Sequence, residues 1–203
     1  MSALMLTTLG VGAANSPRFA PAGLLVERKS TRIMFDGGPG SEPFGRLDAW
    51  LVSDERAELM AQIRKPAQER GLEPRMGDFA GDGLRVRFHA VVHTNHLSGG
   101  YLIRSGGWTA VWAPEFWEFP IWAAGADLMF AEAAGWNRPI HFAGGAGGHL
   151  DVLAVAAAAH AHRVRRLVFA HIGRPTLKAI DRGERPPFGE FARDGQVFRL
   201  SAR

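Results

Sequence analysis

The sequence predicts a mixed α/β (α+β) fold rich in strands, and three observations carry that prediction. Short apolar runs alternate with turn signals along most of the chain. Two segments have the start signals and composition of helices. The 203 residues are 46% hydrophobic and 22% charged, which suits one domain over residues 1–203 with a full core and excludes disorder, collagen and small stapled scaffolds.

The elements follow in order. Apolar or β-branched runs bounded by turn residues predict strands at Leu4 to Leu9, Gly23 to Glu27, Thr31 to Phe35 and Asp48 to Ser53. Ser53, with Asp54 and Glu55 behind it, then opens a helix through Met60 to about Arg64, its acids lying where the helix dipole favours them. Lys65 to Gly83 is polar and rich in Gly and Pro, and reads as a loop. Further strands are expected at Arg85 to Val92, Tyr101 to Ser105, Trp108 to Trp112, Asp127 to Phe130, Arg166 to Ala170 and Val197 to Leu200. Gly106 and Gly107 separate two of these runs as a two-residue hairpin turn. Asp151 caps the second helix, VLAVAAAAHAHRV, whose alanines are strong helix formers.

Composition limits the chemistry. The chain has no cysteine, so disulfides, thiolate nucleophiles, iron-sulfur clusters and thiolate zinc sites are excluded, and any metal must sit on histidine and carboxylate. No apolar run approaches the roughly 20 residues of a membrane span, and the first residues lack a basic n-region, so a cytoplasmic protein is expected. The net charge is +4 and the isoelectric point near 10.3. Lys29, Lys65 and Lys178 are the only lysines, leaving 21 arginines among the 24 basic residues, a skew that points to a GC-rich genome. The arginines are spread from Arg18 to Arg203 without the dense patch of a nucleic-acid footprint.

The order of the pieces carries a resemblance. LGVGAANSPRFAPAGLLVE followed by RIMFDGGPGS, the segment VVHTNHLSGGYLI, VWAPEF, and GGHLDVLAVAAAAHAHRVRRLVFAHIG resemble successive parts of the metallo-β-lactamase fold superfamily, in the branch with RNase Z enzymes and cyclic-phosphate phosphodiesterases. The resemblance covers almost the whole chain. It implies a four-layer αββα sandwich of two mixed sheets flanked by helices, with Asp36 at the family's structural aspartate.

The departure is at the family's HxHxDH motif. After DAWLV, Asp54 and Arg56 stand at the first two histidines, Glu58 at the aspartate and Leu59 at the last histidine. The resemblance puts His93 and His171 at the remaining ligand histidines and Glu115 at or near the bridging carboxylate, so the usual two-zinc site cannot form unchanged. Two possibilities follow. Asp54, Glu58, His93, Glu115 and His171 supply enough donors for one Zn, Mn or Fe ion, which would lower the pKa of a bound water to roughly 7. Alternatively, Arg56 points inward and its guanidinium pairs with Glu58, Glu115 or Asp54 as a built-in cation; a helix stacking residues 54 and 58 on one face would splay residue 56 to the side, so the inward case needs the strand-to-helix junction to keep the family's extended loop. The first version is a hydrolase-like protein acting on a small ester or phosphodiester; the second is a metal-free pseudoenzyme or binding protein.

His96 competes with His93 for the ligand position. His89 is expected on a polar strand face, and His160 and His162 on an exposed helix face. GGHLD resembles the segment where RNase Z enzymes place a catalytic histidine outside the metal shell, which implies that His149 donates a proton to a leaving oxygen; with no family in view it simply precedes a helix cap. Arg56 and Glu58 complete the expected catalytic set. The AGGAGG stretch before His149 lacks a GK[ST] ending and is no P-loop. Trp108, Trp112, Phe116, Trp117, Phe119 and Trp122 surround Glu115 in sequence; most should be core, with Phe116 and Trp117 free to wall a small apolar pocket. The expected partners are a small-molecule ligand or substrate and, as the one protein partner entertained, a second copy forming a homodimer. Nucleic acid and membranes are not expected, since the 65–83 loop leaves no long basic extension for a tRNA-binding arm.

Overall fold

The computed structural model describes residues 3–201. Two mixed sheets pack face to face. The first has five strands in the order β14-β1-β2-β3-β4, formed by β1 (Leu4–Gly10), β2 (Gly23–Arg28), β3 (Thr31–Asp36), β4 (Ala49–Leu51) and the last strand β14 (Gln196–Leu200). The second has seven in the order β13-β12-β9-β8-β7-β6-β5, formed by β5 (Phe79–Gly81), β6 (Leu84–Val91), β7 (Ser98–Ser105), β8 (Trp108–Ala113), β9 (Leu128–Ala133), β12 (Leu167–Ile172) and β13 (Glu190–Phe191). A two-stranded ribbon, β10 (Ile140–His141) with β11 (Gly148–His149), stands apart from both. Three helices complete the fold: α1 (Met60–Gln68), α2 (Val152–Ala161) and α3 (Arg174–Asp181). Among the described residues no helix is long and apolar enough to cross a membrane.

Strand periodicity decides which face goes where. In β2 and β3, Leu24, Val26, Ile33 and Phe35 turn into the core shared with the second sheet, while Leu25 and Met34 turn the other way. There they meet Trp50, Val52 and the α1 residues Met60, Ile63 and Ala67 in a second apolar cluster. The two-period of the sheet and the helical spacing of α1 thus make one layer contact. Strands β9 and β12 are buried at all six positions each, because α2 covers the face turned away from the first sheet. The result is the helix-sheet-sheet-helix layering that the resemblance implied.

Each expected strand is present. The pairing across Gly106 and Gly107 is a hairpin, with Ser105 opposite Trp108 and both glycines at positive φ, 56° and 82°, as a type I′ turn requires. The first helix differs from expectation. Residues 54–59 are turns and α1 begins only at Met60, because the Ser53 hydroxyl donates to Asp36 at 3.0 Å and the Asp54 carboxylate accepts the Arg56 amide at 2.7 Å. Both side chains serve these local bonds, and neither caps a helix. Asp54 and Glu58 therefore do not stack on a helix face. The 65–83 segment is also not all loop: it contains the end of α1, running through Pro66, and strand β5. Helix α3 has no counterpart in the sequence reading, although Gly173 at its N-cap and Pro175 in its first turn are start signals.

Asp36 ties the sheets together at the end where the site lies. It ends β3 with φ 49°; one carboxylate oxygen accepts the Ser53 amide at 2.6 Å and the other accepts Trp112 Nε1 of β8 at 2.6 Å. Burial pushes its carboxyl up to about 6, against the pull of the three donors. The folded chain therefore holds this proton between pH 3.8 and about 6, where the unfolded chain has released it. Asp36 contributes stability that is full below that window and lost as pH rises through it. Urea midpoints at about pH 4 and about pH 6.5 are expected to show this loss in the wild type and not in Asp36→Asn, which cannot ionise. Asp36→Ala is expected to cost about 2 to 4 kcal/mol at about pH 4, since buried donors of Ser53 and Trp112 lose their acceptor, and less at about pH 6.5.

Candidate active site

Strands β8, β9 and β12 run parallel, so their carboxyl ends form one rim, and each brings a polar group to it. Glu115 follows β8, Glu132 lies in β9 and His171 in β12. His171 sits where the β12–β9 pairing becomes irregular, between Phe169 and Ile172, and has φ 57°. A left-handed histidine costs on the order of 1 kcal/mol or more. Here the strain turns the ring so that Nε2 reaches Glu115 Oε1 at 3.0 Å and Nδ1 reaches Glu132 Oε1 at 3.3 Å.

His93, in the turn after β6, meets the same carboxylate from the other side, with Nε2 at 2.8 Å from Glu115 Oε2. Its Nδ1 donates to the Gly148 carbonyl at 2.9 Å, and the Gly148 amide donates back to the His93 carbonyl at 2.9 Å. This close approach requires glycine: a Cβ on Gly147, at φ 115°, would strike the His93 carbonyl, and one on Gly148 the Ile140 carbonyl. The glycine-rich stretch thus orients a histidine ring. His149, next along β11, gives its Nδ1 to Glu132 Oε2 at 2.7 Å, and among the described residues its Nε2 has no hydrogen-bond partner.

Glu132 is fully buried, and besides the two rings it accepts the backbone amides of Phe116 at 3.2 Å and Ala134 at 2.8 Å. Burial works against the charged form of every one of these groups, and the mutual pairing outweighs it. Glu115 is held well below the usual carboxylate range by His171 and His93, and Glu132 is lowered by His149 and His171. His171 is raised well above the ordinary imidazole value by Glu115 and Glu132, and His93 is raised chiefly by Glu115. Each carboxylate thus has two imidazole partners, Glu115 those of His93 and His171 and Glu132 those of His149 and His171.

This network floors a cavity of about 580 Å³. Asp54 and His96 line its wall as a second pair, His96 Nε2 standing 2.8 Å from Asp54 Oδ2. His93 and His96, alternatives in the sequence, therefore have separate carboxylates, and His93 is the one on Glu115. Arg56 and Glu58 line the cavity but are exposed, and among the described residues neither has an ion pair. The guanidinium expected beside Glu115, Glu58 or Asp54 is not there, because the turns after Asp54 carry residue 56 to the mouth.

Three more expectations change. Phe116 is fully buried in the core, and Trp117 packs at 4.4 Å from the His141 ring on a second hollow of about 440 Å³, so Phe142 is the aromatic ring on the main cavity. His89 is half-buried and stacks on Trp122 at 4.8 Å. His162 is half-buried and stacks on Phe119 at 5.1 Å, while His160 is exposed. The residue that the sequence reading lacked is Glu132. Its signal was available, a lone acid inside the apolar run LMFAEA, where a charge survives only with partners.

Histidine and carboxylate donors that could serve an ion gather at this rim. Nδ1 of His93 is fixed by a carbonyl and Nδ1 of His171 by Glu132, which directs both Nε2 atoms to Glu115, the arrangement that outer partners give metal-binding histidines. Ligand atoms of Glu132, His149 and His171 also lie within 4.8 Å of one another.

Glu132→Gln is expected to lower the unfolding free energy by about 3 to 5 kcal/mol, because it strands buried imidazolium charge. Exposed Glu118→Gln should cost less than about 0.5 kcal/mol in the same urea titration. Arg56→Ala should also leave the midpoint within about 0.5 kcal/mol of wild type, as for a surface arginine without a partner.

No protein-family model and no curated protein matches the chain. Solved structures do. The metallo-β-lactamase fold protein YhfI from Bacillus subtilis superposes with a TM-score of 0.74 at 14% identity, over 97% of this chain and 99% of that one. A diphosphatase of the PhnP family gives 0.70 at 15% identity, over 98% of each chain. The short form of human tRNase Z gives 0.70 at 14% identity, over 97% of this chain and 99% of that one. With this superposition over nearly the full length, two mixed sheets flanked by helices and a polar site at one end of the sandwich, the chain has the metallo-β-lactamase fold.

Proposed function

We propose that the protein is a hydrolase-like member of this fold that works with at most one metal ion on a small ester or phosphodiester. The observation that supports this reading is the convergence of His93 Nε2 and His171 Nε2 on Glu115 at 2.8 and 3.0 Å, with both rings fixed from behind, on the lining of one cavity. These three residues would hold the ion, and Zn, Mn or Fe suits two imidazoles and a carboxylate. When bound, it would supply an activated water and polarise the ester or phosphoryl oxygen. Likeness to a PhnP-family diphosphatase is consistent with phosphoester chemistry.

The chain's own residues supply the rest. Glu132 accepts Nδ1–H of His149, which fixes the tautomer and leaves Nε2 available on the cavity side. A proton held there can pass to a departing oxygen, and the buried carboxylate behind it stabilises the charged ring. Ala134 and Phe116 amides keep Glu132 in place throughout.

A second reading has its own support. A metal-free ligand-binding protein needs its site groups satisfied without an ion, and here both nitrogens of His93 and His171 and both oxygens of Glu115 already have partners within the protein. Metal content separates the two. After incubation with zinc or manganese and desalting, about one equivalent per chain is expected in wild type, with loss in His93→Ala and His171→Ala once circular dichroism shows them folded. Less than about a tenth of an equivalent in wild type would favour the metal-free reading. His149→Ala is expected to keep the metal and lower kcat on bis-p-nitrophenyl phosphate or p-nitrophenyl acetate by about 100-fold.

A further inference from the structure

Where the sequence departs from the family motif, apolar side chains enter the cavity lining. Ala57, Leu59 and Ile63 line the cavity together with Pro21. Leu59 and Pro21 both stand against Gly38, since a Cβ placed there would lie 3.1 Å from each. The mouth is different in character. Arg56 and Arg174 both line the cavity, both are exposed, and among the described residues neither has an ion pair or a side-chain hydrogen bond. Arg174 is the first residue of α3, whose N-cap Gly173 offers no side-chain cap, so the positive end of that helix adds to the guanidinium.

The acids on the cavity are largely spent. Asp54 is engaged by His96 and the Arg56 amide, Glu115 by two histidines and Asp36 by Ser53 and Trp112, and among the described residues Glu58 is the cavity acid without an ion pair or hydrogen bond. The unpaired side chains at the mouth therefore sum to a positive charge beside an apolar wall.

We propose that this cavity takes a small organic anion, whose apolar body of about one aromatic ring or a short acyl chain lies against Leu59, Ile63 and Pro21 and whose carboxylate or phosphate group pairs with Arg56 and Arg174. The proposal rests on the reading of this cavity as the reaction site and narrows its substrate to anionic esters with an apolar substituent. Guanidinium recognises planar carboxylates and phosphates alike, so the headgroup is decided by the test. The volume of about 580 Å³ is in the range of sites that enclose most of a small ligand.

The experiment is calorimetric titration of the EDTA-treated protein at low ionic strength with four probes: phenyl phosphate, 3-phenylpropionate, inorganic phosphate and benzyl alcohol. At least one of the two organic anions is expected to bind about tenfold or more tightly than either inorganic phosphate or benzyl alcohol, and the tighter one identifies the headgroup. Arg56→Ala/Arg174→Ala should weaken that anion about tenfold or more and leave benzyl alcohol unchanged. Leu59→Ala should weaken the organic anion without affecting inorganic phosphate. The proposal is overturned if neither organic anion binds, if inorganic phosphate or benzyl alcohol binds as tightly as the tighter organic anion, or if the double arginine variant binds that anion like wild type. Metal uptake, measured on the same preparations, is independent of the arginines. Uptake without organic-anion binding would sink this inference alone, and anion binding without uptake would sink the metal-dependent reading alone.

Discussion

A buried carboxylate and its half-buried neighbour set the terms for this end of the molecule. Glu132 has no solvent exposure, and Glu115 stands at the floor of the cavity, the two joined through His171 at the ends of parallel strands. An ionised carboxylate cannot stay there alone, because burial costs several kcal/mol per ion after relaxation. His93, His149 and His171 meet that cost from three different segments, and backbone amides take up the remaining acceptor capacity of Glu132. The glycines that bring β11 against His93 and the left-handed turn at His171 are consequences of the same demand.

The fold delivers these groups to one place by simple means. Parallel pairing of β8, β9 and β12 aligns their carboxyl ends, as crevices in open α/β sheets also do. Asp36 then fastens the neighbouring end of the first sheet to Trp112 of the second, so that the 53–59 turns come over the same rim. Those turns carry Asp54 inward and Arg56, Glu58 and Leu59 around the mouth, giving a polar floor, one apolar wall and a cationic rim in a single cavity.

Much of this was legible in the residues, though unevenly. Strands announced themselves through alternation and turn residues, and the Gly106-Gly107 turn through its need for two positive φ angles. Helix α1 was misplaced because Ser53-Asp54-Glu55 has the look of a capping segment, whereas Ser53 is claimed by Asp36, a partner 17 residues away. Short pieces such as β5, β10, β11 and β13, two or three residues long, carry too little periodicity to register. Glu132 was passed over because one acid in an apolar strand has meaning only when its partners are known, and those lie 17 and 39 residues away.

By itself the sequence determined a strand-rich mixed α/β class, the exclusion of thiolate chemistry, and His93 and His171 at the ends of apolar strands, since hydrophobic periodicity and residue type are local properties; the layering and the place of Glu115 came through the resemblance to the metallo-β-lactamase fold. Tertiary structure alone decided which histidine faces which carboxylate, that Glu132 is the hub of the network, and that Arg56 stays at the mouth. The physical reason is that pairing of buried charge depends on distances between segments remote in the chain. Local pattern carries no record of those distances.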